Sequence, residues 1–149
     1  MKLENQCCTF EQAKKLNELG IVQGMSLFFF DSIISQTSPL YNKHPGGGYE
    51  FYNAMSCFSA FTVSEIGQML PECMVDKKNV TYRLSYSKDF DYHDQKECYT
   101  VGYYNFSIHK YLFGCGMHSV AQAKAGLLIF LLENGEAIAS DCNTRLLNS

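Results

Sequence analysis

The sequence predicts an α+β domain, with an antiparallel sheet packed on a central C-terminal helix and two shorter helices beside it. Three observations predict it. Capping boxes, in which a Ser or Thr is followed three residues later by Glu or Gln, begin at Thr9, Thr62 and Ser119. Residues 79–87 alternate apolar and polar as a half-buried strand does. Residues 119–134 read as a helix that is apolar on nearly every side, and such a helix is buried on more than one face. A chain of 149 residues suits one domain, 1–149, with a core of useful size.

Taken in order, the first element is a short amphipathic helix. Thr9 and Gln12 cap it, Phe10, Ala13, Leu16 and Leu19 form its apolar stripe, and Gly20 ends it. Residues 25–31 are short and aromatic, which predicts a strand. Residues 32–44 are polar and turn-like, with Ser38-Pro39 opposing helix. His44-Pro-Gly-Gly-Gly48 breaks any regular element, and residues 49–55 alternate roughly enough for a second strand. Thr62 and Glu65 then cap a helix that points Ile66, Met69 and Leu70 inward and stops at Pro71.

In the strand over residues 79–87, Val80, Tyr82, Leu84 and Tyr86 share one face. Residues 88–97 are charged and predict a loop. Residues 98–108 predict a strand antiparallel to the last, with a bulge at Gly102. Residues 111–118, which contain Gly114 and Gly116, read as a connector. Ser119 caps the central helix, and Asn134-Gly135 stops it, glycine taking a left-handed conformation without steric cost. About 16 residues at 1.5 Å each cover roughly 24 Å, short of the ~30 Å hydrocarbon core of a bilayer, so no membrane association is expected. The polar tail over residues 140–149 is expected to fray.

Composition narrows the function classes. The net charge of −3, from 12 basic and 15 acidic residues, supplies no electrostatic reason to bind nucleic acid. Residues 1–6 lack the apolar segment of a signal peptide, so the seven irregularly spaced cysteines are expected to be reduced thiols in a cytoplasmic protein.

Five patterns could carry chemistry. His109, Cys115 and His118, with Cys98 and Cys142 as additions, are zinc-type ligands, although no second paired motif accompanies them and incidental loop residues are the favoured reading. Cys115 with His118 could be a nucleophile and base, without any local signature of thiol enzymes. His44-Pro-Gly-Gly-Gly48 could cradle an anion but lacks a following lysine. Asp89, Asp91, Asp94 and Glu97 resemble a calcium run but lack the ligand order of an EF-hand, so a solvated hairpin tip is favoured. Tyr99, Tyr103, Tyr104 and Tyr111 with Lys110 could stack bases, or equally serve a protein partner.

Three stretches, residues 9–20, residues 60–71 and the central helix ending at Asn134-Gly135, together carry a resemblance. The chain resembles small proteins of unknown function encoded in prophages and mobile elements of gut bacteria, especially Bacteroides relatives. That group pairs a capped helix start with two strands and a closing alanine-led helix; here Phe61 stands where proline is usual. The resemblance covers a little over a quarter of the chain and carries over no catalytic residue and no cofactor. The reading is a non-enzymatic, cytoplasmic accessory module that binds another protein or itself as a homodimer. The alternatives are a metal- or thiol-dependent enzyme centred on Cys115 and His118, and a nucleic-acid-binding accessory factor.

Overall fold

Three hydroxyl caps start three helices where the sequence places them. In this computed structural model, which describes residues 5–33, 35–41, 57–91 and 95–148, Thr9 caps α1 (Phe10–Glu18) and Thr62 caps α2 (Val63–Met69). In both, the hydroxyl accepts from the third helical N–H while that residue's side chain returns a bond to the cap. Ser119 caps α3 (Val120–Glu133) by the forward bond alone, accepting from Gln122 N at 3.2 Å. The Gln122 carbonyl instead accepts from Gln12 Nε2 of α1. Gly135 leaves α3 at φ 70°, as a left-handed stop requires.

The strands form two antiparallel sheets rather than one. β1 (Phe28–Asp31), β2 (Ser35–Tyr41) and β3 (Cys57–Ser59) make a small sheet of order β2-β1-β3. β4 (Cys73–Val75), β5 (Thr81–Asp91), β6 (Lys96–Asn105) and β7 (Lys110–Met117) make a larger one in sequence order. The helix α3 lies against β6, β7, α1 and α2, and its Ala121, Ala123, Ala125, Leu127, Leu128 and Leu131 are buried. The rest packs around it on several sides, while Phe130 stays 42% exposed on its outer side. Phe10 of α1 joins the small sheet to this core, edge-on against Phe30 at 5.9 Å and Phe58 at 5.6 Å.

Several expectations are corrected. Residues 32–44 contain β2, whose Pro39 is tolerated because β2 is an edge strand. The charged stretch 88–97 is largely strand: β5 runs on to Asp91 and pairs with β6 from Lys96, setting Lys88 across from Tyr99. Charge is acceptable there because this end of the hairpin reaches beyond the core. The connector over 111–118 is mostly β7. Its glycines pack rather than break, and a side chain at the facing Gly102 would meet the Phe113 carbonyl at 2.3 Å. The irregular register lies between Tyr103 and Tyr104, not at Gly102.

The tail expected to fray forms a fourth helix among the described residues, α4 (Ala139–Leu147), burying Cys142 and Leu146. Tertiary hydrogen bonds hold it. Asn143 accepts from Val22 N and donates to the Gly20 carbonyl, and Arg145 Nη1 donates to the Met69 carbonyl at 2.7 Å. The strand expected over residues 49–55 and the His44-Pro-Gly-Gly-Gly48 breaker lie outside the described residues.

Candidate functional site

The face of the larger sheet that meets the helices can be read off its register. Paired residues of antiparallel strands share a face, and that face alternates along each strand. Its rows are Leu84–Tyr103–Phe113, then Tyr86–Val101–Cys115, then Lys88–Tyr99–Met117, then Phe90–Glu97. The first of these rows lies under the helices, where Tyr103 is fully buried and its hydroxyl donates to the Pro71 carbonyl at 2.7 Å. Past the start of α3 none of the described helices covers the face: Tyr86 is 69% exposed and Met117 39%.

Where cover ends, a cleft of about 570 Å³ opens. Tyr86, Glu97 and Tyr99 of the hairpin form one wall. The opposite wall is the first turns of α2 and α3, with Val63, Ser119, Val120 and Lys124. His118, in the step from β7 to α3, also lines it.

The charges of the cleft are unequal in their company. Glu97 is ion-paired with Lys88 at 2.5 Å and accepts from the Tyr99 hydroxyl at 3.0 Å. The Lys88 bond first, then the Tyr99 bond, hold the Glu97 carboxyl below the usual carboxylate range. Lys124 has no carboxylate partner among the described residues. Its Nζ donates to the Val63 carbonyl at 3.2 Å, and burial pulls its pKa below the ordinary lysine value. Gly67 of α2 lies beside the amine: a Cβ there would stand 2.7 Å from Nζ. A glycine inside a helix costs about 1 kcal/mol relative to alanine, and a desolvated amine is also unfavourable. Two locally poor choices thus meet at one point, a pattern expected of functional sites. Beyond α2 the same lysine borders a shallower depression of about 750 Å³ that Arg145 also lines.

The metal-type residues named from sequence do not converge. His109 is in the turn before β7 at φ 51°, its Nδ1 3.4 Å from the Tyr104 hydroxyl. His118 is past the other end of β7, and nine steps of ~3.3 Å along the eight-residue strand put the two histidines roughly 30 Å apart. Cys115 faces α3, where a side chain at Gly126 would meet its Sγ at 2.6 Å. Cys98 and Cys115 lie on opposite faces of the sheet, and Cys142 is buried in α4. Among the described residues no three His, Cys, Asp or Glu side chains stand together as a metal would require. Burial raises the Cys115 thiol, the opposite of what a thiolate nucleophile needs.

The other patterns also separate. Asp89 and Glu97 fall on opposite faces, and Asp94 lies outside the described residues. Tyr99 and Tyr103 share the inner face, whereas Tyr104 stacks on Tyr111 at 4.7 Å on the outer one. No single tyrosine platform forms. Comparison with known proteins returns no matching family model, no matching curated protein and no matching solved structure. The cleft is therefore read from its own chemistry. The sequence does not single out Lys124 or Gly67 as site residues; a lone lysine between two alanines of a buried helix, and a glycine inside a seven-residue one, are the available signals.

Proposed function

We propose that this chain is a non-enzymatic protein-binding module whose docking site is the cleft under the β5–β6 hairpin. The occupant is a short segment of another protein that lays an apolar side chain between Tyr86 and Tyr99 on one wall and Val63 and Val120 on the other. One observation carries this reading: among the described residues, the aromatic face that builds the core continues beyond its helices into a cleft whose unpaired charge is a cation. Aromatic residues in a concave, partly desolvated seat are the usual anchors of protein interfaces. The resemblance to proteins of prophages and mobile elements makes a cytoplasmic accessory role in such an element the setting we propose. No helix among the described residues is long and apolar enough to cross a membrane.

Panning a displayed random-peptide library against the chain tests this reading. Enriched peptides are expected to bind the native protein and to lose about tenfold or more in affinity on Tyr86→Ser, a hot-spot loss of about 1.4 kcal/mol. Peptides that bind the variant equally well, or no enrichment, would remove the reading. Light scattering after size exclusion checks the alternative occupant: a dimer that Tyr86→Ser dissolves would give the site to a second copy.

A further inference from the structure

Resting on the reading of this cleft as the binding site, we propose that Lys124 seats a free carboxylate, so that the group recognised is the C-terminal residue of a partner chain, bearing an apolar side chain. Three observations point there. The amine keeps two N–H donors beyond the one given to the Val63 carbonyl, and no carboxylate among the described residues meets them. Glu97, the acid on the facing wall, is already engaged by Lys88 and Tyr99, so it does not neutralise Lys124. A single ammonium facing a wall that holds a carboxylate suits a monoanion better than a dianionic phosphate.

A chain end suits this seat better than an internal acidic residue. Gly67 of α2 lies against the amine, where a Cβ would stand 2.7 Å from Nζ. A terminal residue carries its carboxylate and its side chain on one Cα. It can therefore reach the amine and the Tyr86–Tyr99 wall together. Capture of a terminal carboxylate is a recurring mode of peptide recognition.

The experiment is an NMR titration of the full-length protein with N-acetyl-phenylalanine, its amide, and an amidated peptide holding an internal Asp beside Phe. The acid is expected to shift the amide signals of Ser119, Val120 and Lys124 saturably and to bind about tenfold tighter than either uncharged-end probe. Lys124→Gln should abolish that preference. Gly67→Ala, which crowds the amine while favouring the helix, should weaken it in a folded protein. Arg145→Gln, across α2, should leave it intact. Equal binding of acid and amide, equal binding of the internal-Asp peptide, no binding of the acid, or a preference that survives Lys124→Gln would each overturn the proposal. If library peptides depend on Tyr86 yet bind equally as acid and amide, the protein-binding reading stands and the carboxylate seat alone falls.

Discussion

The two ends of one sheet face behave as different materials. At one end Tyr82, Tyr103 and Val101 are buried, with α3 lying on β6 and β7, and the Tyr103 hydroxyl is answered by the Pro71 carbonyl. At the other end Tyr86, Phe90, Tyr99 and Met117 stand on the same face with the same alternation, and the helices simply stop short of them. Residue type does not distinguish the ends, since each is built around tyrosine. Helix length and position do. The same aromatic side chain holds the fold together where a helix covers it and is left to meet a ligand where none does.

The covered end should respond most strongly. Tyr103→Ala removes a fully buried ring and orphans the Pro71 carbonyl, so it is expected to destabilise by about 3–5 kcal/mol in urea unfolding. A loss below about 1 kcal/mol would show that this end is not the structural one. Next is the contact of α3 with β7. Gly126→Ala puts a methyl 2.6 Å from Cys115 Sγ and is expected to cost about 1–3 kcal/mol, from overpacking that outweighs helix propensity. Combining it with Cys115→Ala should recover most of that loss, and a strictly additive double mutant would sink the packing explanation.

The buried thiols of the core and the open end of the sheet also differ in their response to pH. Burial, helped by the nearby Glu65 charge, pushes the Cys7 thiol up from 9.0 to about 12. Cys8 and Cys142 are raised too, each first by burial. A raised folded pKa means that stability is fully present below the unfolded value and is lost as pH rises from about 9 toward 12, by about 1.4 kcal/mol per pH unit for each such thiol. Denaturation midpoints measured from pH 8 to 10.5 should fall accordingly, and Cys7→Ala should flatten the slope. The open end titrates on the acid side instead. Glu97, lowered by Lys88 and Tyr99, contributes stability that is present above its unfolded pKa and is lost as pH falls below it. The loss should be slight, because the pair is exposed and screened. The smallest stability effect belongs to Tyr86→Ala, within about 0.5 kcal/mol. A larger loss, seen as a clear drop in melting temperature, would mean that the overhang is structural after all.

The helices were legible because their signals are local. A threonine hydroxyl, a glutamate three residues on and a glycine at the end act within one turn, so Thr9, Thr62 and Asn134-Gly135 could be read without knowledge of the fold. The α+β class followed from those caps and from the alternation at Tyr82 and Leu84. Elements whose stability comes from distant partners were not legible. β7 looks like a connector because Gly114 and Gly116 oppose strand formation by propensity, yet those glycines lie across the sheet from Gly102 and Thr100. The last helix has only Cys142 and Leu146 to bury, and its anchors are the 20–22 turn and Met69, more than seventy residues away in sequence.

The candidate site was legible least of all. Cys115 and the two histidines drew attention through chemical type, but a strand holds the histidines apart and turns the thiol into the core. Lys124 is an ordinary residue whose surroundings make it unusual. The sequence by itself determined the caps, the buried rod and the class of fold, since hydrogen bonds within a turn and the burial of apolar side chains depend on near neighbours and on water. Only the tertiary structure decided which tyrosines are covered, that Lys124 ends beside Gly67, and that a cleft opens between the hairpin and the helix starts. Those facts depend on where one element ends relative to another far along the chain, and no local preference encodes that distance.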